Sequence, residues 1–423
     1  MQSHLFYFIA GSILLAGCKS YSPHPVDLNL ELRQWQETPA APTAGGLPLT
    51  LEQAKILALT LNTELNLKRL EHAKSVAFAR EAGWWKDPEL DAEALRILKS
   101  VPEPWILGTG LRFTIPLSGV PGLEKQAATR MAAADRLAVV AAERQVTAEV
   151  EQAWIRLLHQ GHKVRAADAF LKRLDGTCRK LEELQARGEL SLVDLGVFRL
   201  ERQARRLERQ RLVASLREDR LALLALIGLA PTAAIVPSQD EPAPAALAKV
   251  DSAKLSTHPR IRLAQARLEA AEAALQTEIR RQYPDLKIGP SLGSEDGDTR
   301  FGLGVGLDLP LWNRNRQAIA EAEAARELAR GQLIVEQRAL CQEAARLEAR
   351  LVSANEEIET LQHQLVPEAT EHLEQAMKLV AQGEAEVLVL ANAVARLFEA
   401  EQQACDAEAE IEAVSARLRA LSN

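Results

Sequence analysis

Residues 301–309 read FGLGVGLDL, a strict alternation of apolar side chains with glycine or a polar residue. Alternation with a period of two predicts a β-strand with one apolar and one polar face. Residues 110–115 alternate in the same sense, and a weaker partner segment precedes each strand. We therefore predict two β-hairpins, at about residues 88–116 and 284–310. Strands of about ten residues match a tilted transmembrane β-strand, but a hairpin on a soluble core alternates in the same way.

The two hairpins belong to a sequence that repeats itself. Residues 88–90 (PEL) correspond to 284–286 (PDL), residues 115–117 (IPL) to 309–311 (LPL), and ARGE at 186–189 to AQGE at 381–384. All three landmarks keep an offset of 194 to 196 residues. A constant offset across separate landmarks indicates an internal duplication.

A long helical pattern follows each hairpin. In the second unit, Leu333, Leu340, Leu347, Ala354 and Leu361 recur every seven residues, and a second seam of the same period interleaves with them (Ala344, Leu351, Ile358, Leu365). Two seams over more than four heptads predict a coiled coil. Pro367 predicts a kink. Each long helix is expected to end at a glycine, after which a helix of about 35 to 40 residues returns.

Composition supports long helices and excludes several functions. The chain is 47% hydrophobic, 26% charged and only 4% aromatic, as is typical of coiled coils. Its net charge of −7, without a basic stripe, argues against nucleic acid as a partner. The eight histidines show no metal-ligand spacing, and no phosphate loop or catalytic triad pattern is present. We predict neither an enzyme nor a cofactor or metal site.

The N-terminus resembles a bacterial lipoprotein signal. An apolar run of about eleven residues ends in LAGC at 15–18, and it is too short to span a bilayer. We predict a signal peptide at 1–17, lipidation of Cys18, and an extended tether at 18–48. The alternative is a buried helix that happens to end in cysteine. Regular structure should start at Thr50, with Gln53 at the capping-box position, and a helix should run to about Trp85.

The predicted organisation is a first unit at 49–229, a Pro-rich linker at 230–257 and a second unit at 258–423. Each unit contains a helix, a hairpin, a long helix, a tip and a return helix. Four membrane strands cannot close a barrel, and lipid does not tolerate an open sheet edge. Bacterial barrels need at least eight strands, so association is required: a dimer would supply eight and a trimer twelve.

These features resemble the TolC or outer membrane efflux protein family. The motifs that carry the resemblance are LTLEQA at 49–54, the strand-to-helix junction LPLWNRN at 309–315 and the turn RGELSLVDL at 187–195. The resemblance covers residues 49–421. It implies a mainly helical homotrimer in which long antiparallel coiled-coil helices form an α-barrel in the periplasm. A 12-stranded β-barrel, four strands per chain, would lie in the outer membrane.

The resemblance also implies site residues. The turns at Gly188 and Gly383 would lie at the periplasmic tip, where the channel meets its adaptor and closes. Asp194 matches a position where relatives carry an acid that helps hold the tip closed. In the second unit, two positions that are often acidic at the constriction in relatives are Val389 and Asn392 here, so a carboxylate ring would need Glu384 and Glu386 instead. The alternative is that these charges are solvated turn residues.

Other candidate residues come from the strands and their ends. Asp91, Arg112, Lys287 and Asp308 are expected on the polar, lumen-facing side of the strands. Trp84, Trp85 and Trp312 flank strand ends, where an aromatic belt would meet the membrane interface. Ordinary helix packing is the alternative for the tryptophans, and loop-proximal charge for the other four.

The predicted function is a passive outer-membrane duct of a tripartite efflux system. Its expected partners are a periplasmic adaptor (membrane fusion) protein, an inner-membrane pump of the RND type and the lipid of the outer membrane. The tip and junction motifs are most similar to the CzcC- and CusC-like heavy-metal branch, which implies metal cations as cargo. A drug or peptide export duct of the same fold stays open. A coiled-coil adaptor or scaffold without a pore is a further alternative, but the duplicated hairpins argue against it.

Overall fold

The computed structural model describes residues 20–37, 47–98, 104–238, 255–295 and 298–422. Within these ranges the chain is mainly helical, with one four-stranded antiparallel sheet and one short parallel strand pair. In chain order the elements are α1 (Leu28–Glu37), β1 (Leu47–Leu49), α2 (Leu51–Leu61), α3 (Thr63–Glu81), β2 (Glu89–Arg96), β3 (Trp105–Ile115), α4 (Val120–Ala186), α5 (Leu192–Ile227), β4 (Ile235–Pro237), α6 (Pro259–Arg280), β5 (Leu286–Glu295), β6 (Asp298–Leu307), α7 (Arg316–Thr360), a π-helical segment (Leu361–Leu365), α8 (Val366–Gln382) and α9 (Val387–Ser422).

The N-terminal segment differs from the extended tether that we predicted, because it contains the helix α1. The Asp27 carboxylate accepts hydrogen bonds from the backbone N–H groups of Asn29 and Leu30, at 3.0 and 3.2 Å, and so caps this helix. Every residue of α1 is exposed. A tertiary hydrogen bond joins it to the rest of the chain, from Trp35 Nε1 to the Gly228 carbonyl at 3.0 Å.

The first helical region begins as predicted and then breaks. Thr50 and Gln53 form the capping box, each side chain bonding to the other residue's backbone N–H. The single helix expected up to Trp85 is instead α2 and α3, and α3 ends at Glu81. Asn62 separates them because its buried side chain caps the Leu65 N–H and donates to the Leu226 carbonyl at 2.8 Å.

The sheet has the strand order β2-β3-β5-β6, with all neighbours antiparallel. The two hairpins therefore join along β3 and β5, and β2 and β6 form the two edges. At the joint, Pro290 lies opposite Leu111 and has no N–H to donate. Gly289 allows the chains to approach there, because a Cβ at this position would overlap the Leu111 carbonyl oxygen.

The helices of the two units match in length. The helix α4 has 67 residues, about 100 Å at 1.5 Å per residue, and α7, the π-helical segment and α8 together cover the same length. Both return helices, α5 and α9, have 36 residues. Each long helix begins next to a left-handed residue, Gly119 with φ 71° in the first unit and Asn315 with φ 54° in the second.

The π-helical segment interrupts the second of the two heptad seams predicted for this helix, the one that contains Leu351 and Leu365. Leu340, Leu347 and Leu361 are buried as the sequence pattern predicts, but Leu365 is exposed. A π-turn inserts an extra residue into the helix and rotates everything after it. The structure places this segment directly before Pro367, and Leu365, its last residue, is exposed. The kink predicted at Pro367 stays a prediction.

The three largest apolar clusters among the described residues hold the units together. Near the tips, Phe170 of α4 packs edge-to-face on Phe398 of α9, with 5.1 Å between ring centroids. A second cluster surrounds Trp154 and joins α4, α2 and α5, and a third joins α7, α9 and Ile261 of α6. The first cluster contains residues of both units, so the tips of the two coiled coils form one packed body.

The segment predicted as a Pro-rich linker contains a strand at its start. Residues 235–237 form β4, which pairs in parallel with β1 from Leu47↔Ile235 to Leu49↔Pro237. Residues 239–254 lie outside the described ranges. The sequence missed this pairing because three-residue strands have too few positions to show an alternation.

In the parts of the chain that the structure describes, no helix combines the length and the apolar character that crossing a membrane requires.

Candidate functional site

The sheet has two chemically different faces. Residues that pair across the strands share a face, and the pairs Leu111↔Leu90, Phe113↔Ile288 and Phe301↔Leu292 define an apolar one. Most of its large side chains are exposed: Leu90, Leu107, Leu111, Phe113, Leu292, Phe301, Leu303, Val305 and Leu307. An exposed apolar surface of this extent indicates contact with lipid or with another chain.

The opposite face carries the polar residues predicted from the sequence. Asp91, Arg112 and Lys287 all project from this face, and Asp308 follows the end of β6. Arg112 Nη2 lies 2.8 Å from Asp91 Oδ2, and Lys287 Nζ lies 3.2 Å from Asp308 Oδ2. All four line one groove. Arg112, Asp91 and Asp308 are exposed and Lys287 is half-buried. Such solvent-accessible pairs add little stability, and their main effect is on the charge of the face.

Further acids on this face were missed, among them two on β2. Glu89 and Glu93 flank Asp91 on β2, and Glu89 Oε2 lies 3.6 Å from Arg112 Nη1. The acids occupy every second position of β2, and this period-two pattern is visible in the sequence. The positions between them include two alanines, so the apolar side of the alternation is weak and the strand was harder to recognise. Glycines fill much of the rest of the face, including Gly108, Gly110, Gly289, Gly293, Gly302, Gly304 and Gly306.

The three tryptophans lie at one end of the sheet. Trp84 and Trp85 connect α3 to β2, and Trp312 connects β6 to α7. Their exposed fractions are 74%, 63% and 85%, so within one chain none of them packs into a helix core. An interfacial role for these residues stays a prediction, and their exposure is compatible with it.

The first tip turn is built from a glycine and a cap. Gly188 adopts a left-handed φ of 78°, and its N–H donates to the Gln185 carbonyl at 3.0 Å. Ser191 then starts α5 by accepting from the Asp194 N–H at 3.0 Å, and its hydroxyl donates to the Asp194 carboxylate at 2.6 Å. The carboxylate predicted at the gate is therefore oriented by its own turn.

The second tip turn lacks this cap. Gly383 has φ 74°, and the Glu384 N–H closes the helix end on the Leu379 carbonyl at 2.9 Å. Glu386 occupies the position equivalent to Ser191, and Glu384, Glu386 and Asn392 are all exposed. Val389 stands where the first unit has Asp194. The two tips thus share a backbone shape and differ in their carboxylates.

The remaining candidate, Cys18, lies outside the described residues. The described residues contain no group of three or more His, Cys, Asp or Glu side chains placed to hold a metal ion. Of the cysteines, Cys178 is buried between the tip helices, and burial raises the pKa of its thiol.

Solved structures define the class of the fold. A membrane protein from Pseudomonas aeruginosa matches with a TM-score of 0.76 at 20% identity, over 92% of this chain and 96% of that one. CusC matches with a TM-score of 0.73 at 20% identity, over 97% of this chain and 99% of that one. VceC from Vibrio cholerae matches with a TM-score of 0.73 at 19% identity, over 88% and 96%. The chain therefore has the fold of TolC-type outer membrane channels.

Sequence comparison gives a family match over the second unit. Residues 252–423 match the family described as "Outer membrane efflux protein", and this match confirms the resemblance predicted above. The cobalt-zinc-cadmium resistance protein CzcC of Cupriavidus metallidurans is 27% identical over 68% of this chain and 70% of its own length. That family comprises transport channels, and the match agrees with the prediction that the protein is not an enzyme.

Proposed function

We propose that three copies of this chain form the outer-membrane duct of a tripartite efflux system that exports metal cations. A lipid on Cys18 would anchor each copy in the outer membrane. The helices would extend into the periplasm, where an adaptor protein and an inner-membrane pump of the RND type deliver the cargo.

The observation that carries this proposal is the open four-stranded sheet. One face is apolar and exposed, and the other carries the charged pairs around Arg112 and Lys287. Neither edge strand, β2 or β6, has a second strand partner among the described residues. Such a sheet meets the requirements of lipid only when its edges close on other copies. Three copies supply twelve strands around a polar lumen.

The helical part supports the same function. The helices α3, α4, α6 and α7 continue from the four strands in the same lateral order as the strands. A ring of sheets would therefore continue into a ring of helices, about 100 Å long if α4 sets its length. These dimensions support a conduit that reaches from the outer membrane into the periplasm.

The tips support contact with an adaptor. Both turns expose apolar side chains that the chain itself does not cover, Leu192 and Val193 in the first unit and Leu388 and Val389 in the second. Exposed apolar residues at the end of a long helical hairpin indicate a protein contact. This surface supports the contact with an adaptor, and an RND-type pump is proposed from the family resemblance.

The cargo is proposed from the relatives and from charge. CzcC is named for resistance to cobalt, zinc and cadmium, and this chain resembles it over most of its length. The polar face of β2 carries three acids, Glu89, Asp91 and Glu93. Acidic walls raise the local concentration of cations in a pore without binding them tightly. No resident metal site is required for such a duct.

A deletion strain tests the cargo. It should be grown on graded cobalt, zinc, cadmium, copper and silver, and in parallel on dyes, detergents and antibiotics. We expect sensitisation to at least one metal ion, little change for organic compounds, and rescue by the wild-type gene. Sensitisation to organic compounds alone would replace the metal assignment with drug export and leave the duct intact. Sensitisation to neither set would point to a peptide or protein cargo.

A further inference from the structure

A groove crosses the surface that α3, α4 and α6 form at the end nearest the sheet. Its volume is about 750 Å³, which lies in the range of small-molecule sites, about 300–1,000 Å³. Its lining includes the buried residues Ala128 and Ala270 and three large side chains that are exposed, Phe78, Trp84 and Met131. The small side chains leave room between the large ones, so the groove can admit a flat ring system.

The end of the groove farther from the sheet is apolar. Ala79 of α3 forms a cluster with Ala128 and Ala132 of α4. Because α3 runs toward the sheet and α4 runs away from it, Phe78 then lies at about the height of Met131. These two side chains form the apolar end of the groove.

The end nearer the sheet is acidic. Arg281 Nη2 lies 2.6 Å from Glu124 Oε1, and Arg281 Nη1 lies 2.5 Å from Glu278 Oε1. Two carboxylates therefore share one guanidinium, and Glu81 adds a third acid to the lining. Glu124 lies seven residues before Met131, so the two ends are about 10 Å apart along α4.

An exposed aromatic ring accompanies this negative charge. Trp84 follows the end of α3, three residues after Glu81, and lines the same groove. Lys74 also lines the groove, but it lies seven residues before Glu81, about 10 Å farther along α3. The nearby bases Arg80 and Lys125 do not line it. A cation at this end would gain both from the carboxylates and from the face of the tryptophan ring.

A second copy of the chain does not fill this groove in the proposed ring. The helices α4 and α6 lie between α3 and α7 in the lateral order of the layer, and the ring closes where α3 of one copy meets α7 of the next. The groove spans the inner helices α4 and α6, so closing the ring leaves it open.

We propose that the groove between α3, α4 and α6 binds flat organic cations. The apolar body of the ligand would lie against Phe78 and Met131, and its positive charge would lie beside Trp84 and the acids. Every lining residue comes from one chain, so the site depends neither on the proposed trimer nor on a metal cargo. It is separate from the charged pairs on the polar face of the sheet.

Ethidium is a suitable probe, because it is a flat aromatic cation whose fluorescence rises in apolar surroundings. The full-length protein in nanodiscs of a zwitterionic lipid should bind it saturably, one molecule per chain, with empty discs as the blank. Trp84→Ala should weaken this binding about 2- to 30-fold, the range of a cation–π contact. Trp85→Ala is the matched control, because Trp85 is exposed but does not line the groove. The absence of saturable binding would overturn the proposal.

A variant that fills the groove tests where ethidium binds. Ala274 of α6 is exposed and lines the groove, so Ala274→Phe should occupy it without disturbing the core. Gln276→Phe is the matched control, because Gln276 is exposed on the same helix and lines a different groove. We expect loss of most ethidium binding in Ala274→Phe alone, with the same circular dichroism in all proteins. Equal binding in the two variants would overturn the proposal.

Phenanthridine, the uncharged ring system of ethidium, tests whether the site selects cations. The wild type should bind ethidium more tightly, and high salt should reduce this preference. Glu124→Gln removes one charge at similar size, so it should weaken ethidium binding and leave phenanthridine binding unchanged. Equal affinities of the wild type for the two probes would show an apolar groove without cation selectivity, and the assignment would be wrong.

A tightly held membrane lipid is the competing occupant. Organic extraction of the purified protein followed by mass spectrometry would detect it. One lipid per chain that is missing from Ala274→Phe but present in Gln276→Phe would assign the groove to the membrane and overturn the proposal. None of these outcomes affects the metal phenotype of the deletion strain, so this proposal and the proposed function can fail separately.

Discussion

The Ser191 hydroxyl donates a 2.6 Å hydrogen bond to the Asp194 carboxylate, while the Asp194 N–H caps onto the Ser191 oxygen at 3.0 Å. The pair locks the start of α5 directly after the Gly188 turn. It fixes one carboxylate per chain at the tip, and the second unit has valine at the equivalent position. Of these two equivalent positions, only the one in the first tip therefore carries an oriented carboxylate.

This arrangement separates two roles of Asp194. If its carboxylate helps to close the tip of the assembled channel, Asp194→Ala should raise single-channel conductance in planar bilayers, because about 1.5–3 kcal/mol per charged hydrogen bond is lost. Ser191→Ala keeps the carboxylate but removes the cap, which should cost about 1 kcal/mol of stability and leave conductance near the wild-type value. Equal conductance in the two variants and the wild type would reduce Asp194 to a capping residue.

The close approach of β3 and β5 predicts a sharp effect at Gly289. The variant Gly289→Ala places a Cβ against the Leu111 carbonyl oxygen, so the hairpins must separate at their joint. We expect the free energy of unfolding to fall by about 1–3 kcal/mol or more. The fraction of oligomer that resists SDS should also decrease strongly. Gly304→Ala is the matched control, because its Cβ would lie 3.7 Å from the nearest atom, an ordinary contact. Equal losses in both variants would argue against a special role of the joint.

The start of α6 predicts a pH dependence. His258 Nδ1 accepts from the Arg260 N–H at 3.3 Å, a role that only the neutral ring can fill. Burial, together with the charges of Arg260 and Arg144, lowers the pKa of His258 from its ordinary value of 6.5, although Glu343 and Glu336 oppose the shift. A lowered folded-state pKa means that the stabilisation is complete above 6.5 and is lost as the pH falls through the lower value.

Thermal unfolding of His258→Asn should show this contribution. Asparagine caps helices without titrating in this range, so the drop in melting temperature between about pH 7 and pH 5 should be smaller in the variant than in the wild type. His258→Ala should be less stable than the wild type at pH 7 by about 1 kcal/mol. The same drop in His258→Asn and the wild type would place the titration elsewhere.

Anchoring is tested by Cys18→Ala. The LAGC motif at 15–18 predicts that the wild-type protein incorporates labelled palmitate and is cleaved after Gly17. The variant should do neither and should accumulate as precursor. Cys405→Ala is a suitable control, because that residue lies far along α9 and should not affect labelling. Normal labelling of the Cys18 variant would remove the lipoprotein assignment.

Local patterns were sufficient for the repeated architecture. Period-two alternation at 301–309, heptads in α7, the capping box at Thr50 and the glycines at 188 and 383 each depend on interactions within a few residues of the chain. Such patterns can be recognised in the sequence because the polarity of each residue reflects whether its position is buried. The family match and the fold comparisons confirm the class that these patterns predicted.

Contacts between distant residues could not be predicted in the same way. The break at Asn62 depends on the Leu226 carbonyl, and β4 exists only because β1 lies beside it. In each case the partner lies far away in sequence, so nothing near the residue itself indicates the outcome.

The sequence by itself determined that the chain has duplicated hairpins and long coiled-coil helices, because alternation and heptad spacing follow from the geometry of single strands and helices. Only the tertiary structure decided how the pieces meet. It joins the hairpins at β3 and β5, leaves β2 and β6 as edges, and packs Phe170 of α4 on Phe398 of α9. These relationships require side chains from both units to pack together, and no local pattern encodes the distance between them.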